Sequence, residues 1–117
     1  HYNESYLYRE SMNSKELVKI VVDALEDIKG YDIDVINVSK ITSMFEYVVI
    51  ASADSTRQAK SLARNVAEKT KATGGVVYSV EGEQTGEWLL VDLGDVIVHV
   101  MLPAVREYYD LKSLWLR

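Results

Sequence analysis

Apolar residues recur at helical spacing from Leu17 through Ile20, Val21 and Ala24 to Ile28. Asn13 and Glu16 stand just ahead at the offset of a capping box, and Gly30 supplies a left-handed stop. Ile33, Val35, Ile36 and Val38 then read as a first strand, and the apolar run 45–51 as a second, covered on both faces. Asp54 or Ser55 can cap the next helix, with Gln58 three residues after Ser55. Ala59, Leu62, Ala63, Val66, Ala67 and Thr70 form its buried stripe, small enough for close packing on a sheet. Gly74 and Gly75 end that helix, and residues 76–80 read as a third strand. One helix between the second and third strands has the length of a right-handed crossover, which predicts that the two run parallel. Two more strands, 87–93 and 96–102, flank Gly94-Asp95, a hairpin signal. Pro103 opens a closing helix carrying Val105, Tyr108 and Tyr109, and the tail is expected to dock through Leu114 and Trp115. This order predicts an α/β (α+β) sandwich with a mixed sheet of about five strands and flanking helices.

Composition narrows the class. The chain has 117 residues, 48% hydrophobic, which suits one domain and excludes disorder. Residues 1–11 carry three tyrosines (Tyr2, Tyr6, Tyr8) without helical or strand period, and read as an expression leader ahead of Met12. A native N-terminal arm is the other reading. Thirteen basic against eighteen acidic residues give a net charge of −5; without Glu4, Arg9 and Glu10 it is −4. An acidic chain repels phosphate backbones, so nucleic acid is a poor main partner. The absence of cysteine removes disulfide and thiolate chemistry and fits a reducing compartment. No run has the length of a membrane span or the order of a signal peptide, so a cytoplasmic domain is expected.

The hairpin has two unlike faces. With Gly94-Asp95 as a two-residue turn, Leu93 faces Val96, Val91 faces Val98 and Leu89 faces Val100, an aliphatic surface suited to a helical cover. The opposite face pairs Asp92 with Ile97, Leu90 with His99 and Trp88 with Met101. Aromatic and methionine anchors among a few polar groups are the composition of a protein interface. A second helical cover, with Trp88 as ordinary core, is the opposing reading, and the pattern leaves both open.

Catalytic and metal chemistry find little support. His99 lies diagonal to Asp92, within reach of a carboxylate–imidazole hydrogen bond, but no nucleophile stands in a G-x-S-x-G context. Asp92, Asp95 and His99 are metal ligands by count, yet two flank the turn while the third lies along the strand. Asp32 and Asp34 form a D-x-D that in a nucleotidyltransferase would hold magnesium; with no Gly-Ser loop upstream they read as solvated strand-edge residues. Residues 52–58 lack the glycines of a phosphate loop, so capping accounts for them. Arg57, Lys60, Arg64 and Lys71 line one side of a helix, by default a solvated face, and could add at most a local RNA contact.

The ordered series Phe45-Glu46-Tyr47-Val48-Val49-Ile50-Ala51-Ser52, Ser55-Thr56-Arg57-Gln58-Ala59, Glu81-Gly82, Glu87-Trp88 through Val100, Arg106, Tyr109-Asp110-Leu111 and Leu114-Trp115 resembles the Iojap/RsfS/YbeB family of ribosomal silencing factors. The likeness spans about residues 17–115, departing at Lys112, where such tails usually carry an acid. It implies a nucleotidyltransferase-like fold without the catalytic motif, and no enzyme activity, metal or cofactor. It implies binding to ribosomal protein fourteen of the large subunit, which blocks subunit joining and represses translation when nutrients are scarce. A part in large-subunit biogenesis, organelle relatives and homodimers are also implied. The contact region carried over is Trp88 as anchor with Leu90, Asp92, Leu93, Gly94, Asp95 and His99, and more weakly Glu81 and Gly82. The rival readings are a divergent magnesium-dependent enzyme using Asp32, Asp34, Asp92 or Asp95, and a dimeric adaptor for another partner.

Overall fold

A computed structural model describes residues 12–116; the reading of residues 1–11 as a leader lies outside them. Helix α1 (Ser14–Asp27) starts at the expected capping box: the Asn13 side chain accepts from Glu16 N at 2.9 Å and Glu16 Oε1 accepts from Asn13 N at 3.1 Å. Its stop differs from expectation. The left-handed residue is Lys29 (φ 65°), and Gly30 is there for space, since a Cβ would stand 3.1 Å from both Leu25 O and Leu62 Cδ2.

Strands β1 (Tyr31–Asn37) and β2 (Tyr47–Ser52) pair antiparallel, with a bulge near Asp32 (φ 49°). Helix α2 (Thr56–Ala72) is N-capped by Ser55, and its buried residues are the six of the expected stripe. Gln58 ties its start to the end of α1, donating to Ile28 O and Lys29 O at 3.1 and 3.2 Å. Strand β3 (Ser79–Glu81) is shorter and later than expected; as an edge strand it is held from one side only. Strands β4 (Trp88–Asp92) and β5 (Val96–Met101) form the hairpin.

The sheet order is β1-β2-β5-β4-β3, with β2 and β5 parallel and the other neighbours antiparallel. The fold is α+β with a five-stranded mixed sheet. By this pairing β2 and β3 point the same way, but β5 and β4 lie between them. The hairpin register is the expected one, from Trp88↔Met101 to Asp92↔Ile97, closed by Leu93 N donating to Val96 O at 3.0 Å.

Register sorts the strand residues into two layers. Val49, Ala51, Leu89, Val91, Leu93, Val96, Val98 and Val100 pack under α1 and α2. On the other face Ile36, Val48, Ile50 and Met101 are buried, with Val105, Leu111 and Trp115 packed against them. These come from two short helices, α3 (Pro103–Tyr109) and α4 (Leu111–Leu116), where one was expected. The break is Asp110 in the left-handed region (φ 46°), which short polar side chains tolerate. It turns the chain so that Trp115 meets Phe45 edge-on at 5.7 Å, while Leu114 stays about half exposed and undocked.

Candidate functional site

The mixed face of the hairpin is covered at one end and open at the other. Met101 is fully buried, His99 is 9% exposed, and Trp88, Leu90, Asp92 and Ile97 are half-buried. The helical cover expected on one reading thus reaches only part of this face and leaves the rest open.

At the boundary the Trp88 ring lies on Tyr109 with centroids 4.8 Å apart, and its Nε1–H donates to His99 Nδ1 at 3.0 Å. Burial pushes the His99 pKa down from 6.5 to about 4. The imidazole is therefore neutral at pH 7, and because Nδ1 accepts, Nε2 carries the proton. The tilted ring contact (interplanar angle 46°) and this hydrogen bond fix the indole orientation, each worth about 1 kcal/mol.

The Asp92–His99 hydrogen bond that the register puts within reach does not form, and His99 is a satisfied polar group, as expected. Asp92 Oδ1 instead accepts from Gly94 N at 2.9 Å, an Asx turn that closes the hairpin. The turn amide is two residues away and needs a partner, which Asp92 Oδ1 supplies. Gly94 has φ 87°, and a Cβ there would stand 2.9 Å from Tyr78 Cε2, so the tyrosine ring covers the turn only because Gly94 has no side chain. Asp95 is exposed at the tip, its carbonyl accepting from Glu46 N and Tyr47 N.

Two other residues of the expected set shape the loop before β4. Glu81 is exposed and sits opposite Leu90, while Gly82 (φ 93°) leaves a Cβ only 2.1 Å from Trp88 O. Leu93 is the exception: at 4% exposure it belongs to the core under α1 and α2 and faces away from the open surface. Sequence reasoning missed Tyr109, Tyr78, Met44 and Phe45. With Asp92, Gly94 and Ile97, the last three of these line a cleft of about 310 Å³ beside the hairpin tip. The signal for Tyr78 was an aromatic residue in the segment 76–80 read as the third strand, though it falls just ahead of β3; nothing local marks Met44 or Phe45 as site residues.

The D-x-D pair divides: Asp32 is exposed on the edge strand, as expected, whereas the Asp34 carboxylate is ion-paired. Asp34 is paired with Arg106 and, at 3.3 Å, with Lys112, and Arg106 Nη1 also donates to Asp32 O at 2.6 Å and Ser52 Oγ at 2.8 Å. Sequence separation hid these cations, and they compete with any divalent ion for the carboxylate. Lys112 thus has an ionic partner. Among the described residues no three His, Asp or Glu side chains cluster to hold a metal ion, and no helix is long and apolar enough to cross a membrane.

Fold and face together define an α+β domain that shields one side of its sheet and leaves an aromatic, acid-rimmed part of the other side open. Comparison with known proteins then gives the family. The family model described as "Ribosomal silencing factor during starvation" matches residues 11–117. A ribosomal silencing factor RsfS of Chromobacterium violaceum is 52% identical over 104 residues, 89% of this chain and 85% of that protein. The RsfS of Bacillus subtilis is 36% identical over 89% of this chain and 88% of its own length. The mouse protein named "Mitochondrial assembly of ribosomal large subunit protein 1" is 32% identical over 84% of this chain and 44% of its own length. A crystal structure of a Chromobacterium violaceum protein superposes with a TM-score of 0.87 at 52% identity, covering 89% of this chain and 87% of that one. The chain belongs to the RsfS family of ribosomal silencing factors.

Proposed function

We propose that this chain represses translation by seating the open half of its mixed face on ribosomal protein fourteen of the large subunit, so that the small subunit cannot join. The observation that carries the reading is the half-buried Trp88, fixed by Tyr109 and His99, beside Leu90 and Ile97 and rimmed by Glu81, Asp92 and Asp95. A rigid aromatic anchor within a polar rim is the usual form of an energetic hot spot. The acidic balance of −5 favours encounter with a basic ribosomal protein. The mechanism is steric occupation in the cytoplasm: no bond is made or broken, and neither metal nor cofactor is needed. A part in large-subunit assembly agrees with the name of the mouse relative. Self-association through the same apolar residues would compete with the subunit for one face.

The test is a subunit-joining assay on sucrose gradients with added protein. Wild type should shift joined ribosomes to free subunits, and Trp88→Ala, verified as folded by circular dichroism, should need at least about 30-fold more protein for the same shift. Equal inhibition by a folded Trp88→Ala would remove the anchor assignment.

A further inference from the structure

We propose that the cleft at the hairpin tip is a subsite for one lysine or arginine side chain of the docked partner; this rests on the docking reading above and adds what the face selects. The walls are apolar, from Met44, Phe45, Tyr78 and Ile97, and the charge in the lining is that of Asp92. At about 310 Å³ the cleft is at the lower end of pockets that take small ligands, so it suits a side chain rather than a helix or strand. Asp92 is half-buried and commits Oδ1 to Gly94 N–H; among the described residues Oδ2 has neither a hydrogen-bond donor nor a cation. An apolar occupant would take this carboxylate further out of water with nothing to pair it, and an acidic one would be repelled. A lysine or arginine answers both parts of the lining, its aliphatic stem against the apolar walls and its cationic head on Oδ2.

The experiment is equilibrium binding to purified large subunits across a salt series. Asp92→Asn keeps the acceptor that closes the turn and removes only the charge; it should weaken binding about tenfold and flatten the salt dependence. Met44 is 79% exposed, so its replacement leaves the core alone. Met44→Lys should bind about tenfold more weakly than Met44→Glu, because only the former repels a cationic head. Equal weakening by both would mean an apolar occupant and would overturn the proposal. So would Asp92→Asn and both Met44 variants staying within about twofold of wild type, a change too small for a lost charge pair. If Trp88→Ala still abolishes binding in that case, only the subsite falls. If Trp88→Ala also binds like wild type, the docking face falls and the subsite with it.

Discussion

Acidification should destabilise this chain through one residue. His99 is 9% exposed, in the middle of β5, with its Nδ1 accepting the Trp88 indole N–H at 3.0 Å. Burial lowers its pKa from 6.5 to about 4, so the folded chain resists a proton that the unfolded chain accepts. The corresponding stability is fully present above pH 6.5 and is lost as the pH falls through the window down to about 4. At 1.36 kcal/mol per pKa unit the complete loss is about 3 kcal/mol, of which about 2 kcal/mol has gone by pH 5. Urea denaturation at pH 7.5 and pH 5 measures it, with His99→Asn as the control. Asn can offer Oδ1 to the indole in place of Nδ1 but cannot titrate. Wild type should lose about 2 kcal/mol more than His99→Asn between the two conditions, roughly 1–2 M in urea midpoint. Taking the difference cancels the carboxylates, which are common to both proteins. Parallel losses would show that the buried imidazole does not titrate as burial requires.

Two further substitutions probe the supports of the face. Arg106→Leu removes the donor that joins Asp32 O, Ser52 Oγ and Asp34, in a pair whose side chains are 17% and 28% exposed. It should cost about 2–3 kcal/mol by chemical denaturation, less than a fully orphaned carboxylate because Lys112 remains. Gly82→Ala should cost more than Gly74→Ala, although both glycines have positive φ (93° and 92°), because only the Gly82 Cβ meets backbone, at 2.1 Å from Trp88 O. Thermal melts should show about 1 kcal/mol for Gly74→Ala from conformation alone, and at least about twice that for Gly82→Ala.

What could be read from the sequence was whatever repeats locally. The α2 stripe from Ala59 to Thr70 follows from helical spacing, and the β4–β5 register follows from two-residue alternation around Gly94-Asp95. Local signals left open which groups satisfy polar atoms when several are within reach. Asp92 had two partners within reach by register, and that it takes the Gly94 amide while His99 accepts from Trp88 is not contained in the alternation pattern. Arg106 reaches Asp34 across 72 residues of chain, a contact no local pattern contains. The cover over Trp88 was hidden for a related reason: the closing helix carrying Tyr109 was expected, but its docking against the indole is a contact between residues far apart in the chain. Residues 88–101 were legible as a two-faced ribbon, and the extent of its cover was set by tertiary contacts.

Trp88 is braced by the fold on one side and, on the docking proposal, meets the partner on the other, and this bears on how a partner would act on the domain. Tyr109 belongs to α3, a seven-residue helix with no buried residues, too short to be stable without tertiary support. Its ring rests on the indole, and Tyr108, 82% exposed, packs edge-on against Tyr109 at 4.9 Å. A partner pressing on the open edge of Trp88 meets an aromatic column already braced from the other side by α3, and by Arg106 holding that helix to β1. Loosening Arg106 should therefore weaken docking without any change in the contact surface. Leu90, Ile97 and Met44 take little part in this brace, so on the docking proposal substitutions there should separate affinity from stability, as Trp88→Ala alone does not.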